Sequence, residues 1–135
     1  YKIIAVYNRF TVYYSSFKKY MEKANRSRDI SNADSIRSAL QTALADIDAY
    51  ESFYKSDVDD EYVILSETGM AKVPAAFRKE FDAVLGEYPE VKYVKDGYNK
   101  FAFKLDAESN TCTVYVTNGS DFVEISPERD YDFYD

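Results

Sequence analysis

The chain contains no histidine and no tryptophan, and its 135 residues include one cysteine, three prolines and four scattered glycines. Without histidine there can be no Ser-His-Asp triad, no histidine metal site and no imidazole acid–base catalysis. The glycines are too dispersed to form a loop that cradles phosphate groups. A hydrolase that uses a carboxylate pair stays conceivable, but 24 acidic residues produce many pairs by chance. We therefore predict that the protein is not an enzyme, with no catalytic residues and no cofactor.

Positive charge is also scarce, since 17 basic residues stand against 24 acidic ones and the formal net charge is −7. Binding to nucleic acid requires a concentrated positive surface. The longest basic stretch, Asn25–Arg28, is too short to provide one. We therefore expect no nucleic-acid partner, and we attribute the acidic surface mainly to solubility.

The sequence holds neither a cysteine pair nor a membrane-spanning run. The single cysteine, Cys112, lies next to Val114 and Val116 in an alternating stretch, which predicts a packed strand residue rather than a reactive thiol. No run of about 18 apolar residues is present. Because the chain begins at Tyr1 rather than at methionine, we expect a processed or trimmed product.

Apolar residues recur every three or four positions through the first third of the chain, as in an amphipathic helix. The residues predicted to pack through this helix are Ile36, Ala39, Leu40, Ala43, Leu44 and Ile47. The same spacing is shared by Phe17, Tyr20, Met21, Ala24, Tyr50, Phe53 and Tyr54. One helix from near Thr11 to Tyr54 would explain the pattern. A break near Ser31 is the other interpretation, because Asn25–Asp34 is rich in residues that compete with helical hydrogen bonds.

The remaining two thirds predict a second helix followed by strands. The helix opens at Val73-Pro74-Ala75 and ends at Gly86 and Pro89. Turn signals at Asp96-Gly97 and Asn118-Gly119 separate alternating apolar runs. The predicted strands are Val91–Lys95, Asn99–Leu105, Thr111–Thr117 and Phe122–Ser126.

This order predicts an α+β fold, a long N-terminal helix packed on a C-terminal antiparallel meander of three or four strands. We expect a single domain, 1–135. It divides into a helical spine at 1–56, a connecting region at 57–90, the meander at 91–126 and an acidic tail at 127–135. The tail is expected to be loosely held.

An acidic cluster stands between the spine and the second helix. It comprises Asp57, Asp59, Asp60 and Glu61, and its carboxylate oxygens are the ligands that calcium prefers. The spacing begins like a calcium-binding EF-hand loop, but Tyr62 occupies the position where that loop needs glycine. We therefore predict no metal site here, and an acidic, solvated turn instead.

The segment Lys18–Asp46 resembles the corresponding segment of type IV pilins and pseudopilins. The likeness rests on Tyr20-Met21-Glu22-Lys23-Ala24 and on the run from Ile36 to Ala43. It covers about 30 residues closely and the rest of the layout loosely. The cleavage and methylation motif of that family, with its apolar helix, has no counterpart in Tyr1–Asn8, so its glutamate is not assigned to any residue.

The resemblance implies a subunit of an extracellular type IV pilus or type II secretion-like filament. In such a filament the N-terminal helices pack together and the sheet domains face outward. The implied partners are other copies or minor pilins, with membrane attachment only through an N-terminal helix that this sequence lacks. The absence of a disulfide loop favours a Gram-positive bacterium. The alternative interpretation is a secreted monomeric adhesion or ligand-binding domain.

Overall fold

The first helix, α1 (Lys2–Leu44), is 43 residues long and therefore spans about 65 Å at 1.5 Å per residue. It is seen in a computed structural model that describes residues 2–134, with side chains described from residue 14 onward. The helix runs through Ser31 without a break. Ser35 and Thr42 donate their hydroxyls to the carbonyls four residues earlier, so these polar side chains do not disrupt the helix.

The break in the spine lies at 45–46, where neither interpretation of the sequence had placed one. Asp46 begins a new helix, α2 (Ile47–Phe53), because its carboxylate accepts the N–H of Ala49 at 2.9 Å. Asp46 is therefore an N-cap. The apolar phase restarts with α2, which buries Ala49 and Phe53. The prediction that Ile47 packs in the core is wrong, since its side chain is 73% exposed.

The remaining elements form one antiparallel sheet and three further helices. They are β1 (Tyr62–Ile64), α3 (Glu67–Met70), α4 (Ala75–Leu85), β2 (Lys100–Asp106), β3 (Thr111–Thr117), β4 (Phe122–Ser126) and α5 (Tyr131–Tyr134). The sheet order is β1-β2-β3-β4, so the predicted α+β fold and antiparallel meander are confirmed. The second helix was also predicted correctly, because α4 begins after Pro74 and ends at Gly86, whose φ of 77° suits glycine.

The first strand is not the one that the sequence predicted. Tyr62–Ile64 pairs with β2, placing Val63 opposite Phe103. The predicted strand Val91–Lys95 makes only an isolated bridge between Lys95 and Tyr98. Its backbone N–H groups turn instead toward α1, where a side chain accepts them.

The core lies between α1, α4 and the sheet. Five of the six predicted packing residues of the helix are buried there, namely Ile36, Ala39, Leu40, Ala43 and Leu44. Aromatic rings join the layers: Phe53 of α2 lies 4.6 Å from Phe77 of α4, and Phe81 lies 6.1 Å from Phe103 of β2.

The tail is packed against the molecule and not loosely held as expected. Tyr134 is only 3% exposed. The ring of Phe133 lies 5.3 Å from Tyr98 and 6.1 Å from Tyr93, so the aromatic residues of the tail extend the core. Asp135, the last tail residue, lies outside the described residues.

Replacing Phe81 by alanine tests whether its side chain lies at the centre of the aromatic core. Phe81 is fully buried among Phe77, Tyr88 and Phe103, and a large cavity there costs about 3–5 kcal/mol of unfolding free energy. Val84→Ala on the exposed face of α4 is the matched control and should change stability by less than about 0.5 kcal/mol. Chemical denaturation measures both, and equal effects of the two substitutions would contradict the described packing.

Candidate interaction surface

The helix α1 consists of a packed part and a free part. Among the described side chains, the buried residues of α1 all lie between Asp29 and Leu44. Residues 14–28 are exposed, apart from Glu22, Asn25 and Arg26, which are half-buried. We call residues 14–28 the arm and residues 29–134 the head. The arm is therefore a helix surface that the head does not cover.

The arm carries large apolar side chains that face water. The exposed ones are Tyr14, Phe17, Tyr20 and Met21, with exposed fractions of 64%, 63%, 68% and 41%. Tyr14, Phe17, Met21 and Ala24 follow steps of three and four residues and so lie on one helix face. We call these four residues the apolar stripe. A run of exposed apolar side chains of this kind marks an interaction site.

The sequence treated Phe17–Ala24 and Ile36–Leu44 as one stripe, but the structure separates them. The second set forms the core, whereas the first set stays exposed. Periodicity alone does not distinguish the two, because it shows that a helix has an apolar face and not what covers that face.

A buried carboxylate marks the junction between the arm and the head. Asp29 is fully buried, and its two oxygens accept the N–H groups of Lys92 at 2.7 Å and Tyr93 at 2.8 Å. Burial raises the pKa of Asp29 above its ordinary value of 3.8, although the two N–H donors and the charge of Lys92 act in the opposite direction. The guanidinium of Arg26 lies 5.2 Å above the ring of Tyr93. The segment that precedes β2 is thereby fixed to α1.

Asp29 was missed in the sequence because it lies in a stretch rich in Ser, Asn and Asp. One signal was available, since Asp29, Ala33, Ile36 and Leu40 follow the helical spacing of the buried face. A carboxylate in line with core residues requires partners. The backbone donors that satisfy it are 63 and 64 residues away, so no local pattern identifies them.

The single cysteine is a packed strand residue, as predicted. Cys112 is 2% exposed, and burial raises the pKa of its thiol to about 11, with a smaller opposing effect from Arg37. Arg37 donates from Nε to the backbone carbonyl of Cys112 at 3.1 Å. The thiol is therefore protonated at neutral pH and is a poor nucleophile.

The acidic cluster after α2 does not converge on one point. Asp57, Asp60 and Glu61 are exposed, whereas Asp59 accepts the N–H groups of Lys55 at 2.9 Å and Ala107 at 3.0 Å. Asp59 thus fixes the turn to the end of β2. Within residues 2–134, no group of three or more carboxylate or cysteine side chains is arranged to hold a metal ion.

A second acidic surface lies on the tail. Glu124, Glu128, Arg129, Asp130, Tyr131 and Asp132 line one shallow depression. The guanidinium of Arg129 lies 4.9 Å above the ring of Tyr131. The tail lies beside the start of the packed part of α1, because Ser126 donates to Asp34 at 2.8 Å and the ring of Tyr134 lies 6.2 Å from that of Tyr93.

Comparison with protein-family models, with curated proteins and with solved structures finds no match. None of the helices in the described part of the chain is long and apolar enough to cross a membrane. The exposed arm, the acidic tail and the buried junction at Asp29 are therefore the features from which a function must be inferred.

Replacing Asp29 by alanine tests the junction. The substitution leaves the N–H groups of Lys92 and Tyr93 without their acceptor, at a cost of about 1–3 kcal/mol for each donor that stays buried. Glu22→Ala on the same helix is the control, with an expected change below about 0.5 kcal/mol. Urea denaturation measures both variants, and equal stabilities would show that the junction contributes nothing.

Because the pKa of Asp29 is raised in the folded protein, the contribution of this residue to the unfolding free energy changes with pH in a defined direction. The folded state retains the proton to a higher pH than the unfolded chain. The stability from this group is therefore complete below the ordinary pKa of 3.8 and is lost as the pH rises through the raised value. The unfolding free energy of the wild type minus that of Asp29→Asn should fall with rising pH across this window. Denaturation at a series of pH values measures it, and a difference that is flat or increases would contradict the assignment.

Proposed function

We propose that the protein is a structural, non-enzymatic subunit of an extracellular bacterial filament, of the type IV pilus or type II secretion-like kind. It assembles with other copies of itself, or with minor subunits, through its N-terminal helix. The observation that carries this proposal is the apolar stripe on the arm, which faces water although the apolar residues of α1 from Ala33 to Leu44 are buried.

The energetic reason for assembly is the burial of the stripe. Enclosing a large apolar side chain such as Phe17 contributes about 1.5–3 kcal/mol. Parallel helices approach to about 8–10 Å when their side chains interdigitate, so two arms can cover each other's rings. The head lies on one end of α1 and does not obstruct such packing along the arm.

The shape of the molecule favours a filament over a closed dimer. An elongated stripe allows each arm to pack beside the next with a displacement along the axis. A contact of this kind joins unlike parts of identical chains, and it propagates when the rotation between copies does not close. The resemblance of Lys18–Asp46 to pilins supports the same arrangement, with the sheet on the outside.

A double substitution, Phe17→Ser with Met21→Ser, tests the role of the stripe. Both side chains are exposed in the single chain, so thermal unfolding should be unchanged. Self-association should weaken at least about tenfold, since each lost apolar contact is worth roughly 1.4 kcal/mol or more. Sedimentation velocity over a concentration series measures the association, and negative-stain electron microscopy shows any filaments.

Val84→Ser is the matched control, because Val84 is 50% exposed on the head and lies outside the stripe. It should associate as the wild type does. A wild-type chain that stays monomeric at every concentration would contradict the proposal. It would favour a secreted monomeric adhesion or ligand-binding domain instead.

A further inference from the structure

The two parts of the chain carry opposite charge. Residues 1–28 contain seven basic side chains and one acidic, whereas the other 107 residues contain ten basic and 23 acidic. Their formal charges are therefore +6 and −13. A molecule whose positive and negative regions are separated along one axis attracts a second copy in a staggered orientation.

The positive charge of the arm includes a set on one helix face. Lys19, Lys23 and Arg26 follow steps of four and three residues, which places them together and on the side opposite Phe17. We call them the basic band. Lys19 and Lys23 are exposed, and neither forms an ion pair with any residue whose side chain is described. Arg26 already contacts the ring of Tyr93, so Lys19 and Lys23 are the charges of the band that remain available, on a helix face distinct from the apolar stripe.

We propose that the basic band docks on the acidic tail of a second copy of this chain. This inference rests on the proposed filament, and it names a second contact between copies, on the helix face opposite the apolar stripe. The receiving side chains are Glu128 and Asp132, which are exposed beside Glu124 and Asp130. The opposite signs of the two surfaces make the second copy the occupant.

The position of the tail along α1 fits a small displacement. The tail lies at the level of Asp29–Asp34, through the contacts of Ser126 with Asp34 and of Tyr134 with Tyr93. From Lys23 to Asp29 is six residues, so a shift of about 9 Å along the helix axis brings the band of one copy level with the tail of the next.

The other acidic surface would require a much larger displacement. The turn at 57–61 is bonded to Leu105 and Ala107, and Ala107 shares a depression with Leu44 at the far end of α1. To bring Lys23 of one copy level with Leu44 of the next, the two copies would have to be displaced by about 30 Å along the helix axis. Such a shift also leaves much less of the two α1 helices side by side than a shift of about 9 Å does. The tail is therefore the partner of the band.

An anionic membrane or a nucleic acid is a poorer occupant. Either would attract the basic band, but either would also repel a head with a formal charge of −13. A second copy supplies an acidic tail for the basic band and a basic band for the acidic tail.

Charge reversal tests the contact. Lys19→Glu with Lys23→Glu, and separately Glu128→Lys with Asp132→Lys, should each weaken self-association roughly tenfold in sedimentation velocity at low salt. Mixing the two variants should restore much of the association between unlike chains. Salt should weaken the wild-type assembly, because the Debye length falls from about 10 Å at 0.1 M to about 3 Å at 1 M.

The control is Asp57→Lys with Glu61→Lys, which makes the same change of charge at the far end of the head and should reduce association much less. An equal loss in this control would overturn the inference, because net charge alone would then explain the effect. Association that is independent of salt and of both reversals would also overturn it, while leaving the proposed filament intact. Wild-type chains that bind vesicles of phosphatidylglycerol but do not associate would overturn both.

Cross-linking locates the contact directly. Lys23→Cys in one chain and Asp132→Cys in another should form a disulfide when the chains are mixed under mild oxidation, and the buried Cys112 should not compete. Lys23→Cys mixed with Glu61→Cys should not cross-link. Assembly in which only the second mixture cross-links, or in which neither does, would show that the arms associate through another register.

Discussion

Two hydrogen bonds, from the N–H groups of Lys92 and Tyr93 to the buried carboxylate of Asp29, connect α1 to the chain that precedes β2. This junction joins α1 to a segment that makes no regular pairing with the sheet. Without it, the chain from Glu90 to Asn99 would have few fixed contacts before β2 begins. Tyr93 is placed by the same bonds, and its ring lies near Arg26, Phe133 and Tyr134. The carboxylate on the helix therefore helps to position the aromatic residues of the tail, together with the contact between Phe133 and Tyr98.

The junction also explains why a carboxylate is retained where burial disfavours its charge. Removal from water raises the pKa of Asp29, yet two backbone donors point at it and compensate in part. A leucine at this position would pack more easily but would leave both N–H groups without partners. Position 29 is thus constrained by the backbone of a distant segment rather than by its own helix.

The sequence predicted the parts of the fold that depend on local pattern. The second helix was placed by its proline and glycine, and three of the four strands by alternation and turn residues, because these signals act within a few positions. The strand at 62–64 was not recognised, since three residues are too few to show alternation. The run at 91–95 was mistaken for a strand because its apolar residues resemble one, whereas its N–H groups bond to a side chain far away in the sequence.

Two features of the helical spine could not be predicted from the sequence: the position of its break and the identity of the residues that the head covers. The start of α2 depends on a single N-cap at Asp46, which the apolar spacing of Ile47 obscured. The arm and the core part of α1 have the same periodicity, so only the position of the head shows which residues are covered. The acidic turn and the tail have similar compositions, and each combines bonded and exposed carboxylates. Asp59 and Asp130 accept backbone N–H groups, whereas Glu61 and Asp132 are exposed, and the sequence does not distinguish these two sets.

Because α1 is one continuous helix through the arm and the head, the orientation of the head relative to the arm is fixed by helix geometry. In a continuous helix each residue turns the chain by about 100° and advances it by about 1.5 Å. An insertion of one residue near Arg28 would therefore swing the whole sheet a quarter-turn around the arm. An insertion of seven would nearly restore the angle while moving the sheet by about 10 Å. The number of residues between Ala24 and Asp29 therefore sets the direction in which the sheet faces relative to the apolar stripe. A change in that number rotates the head about the axis of α1.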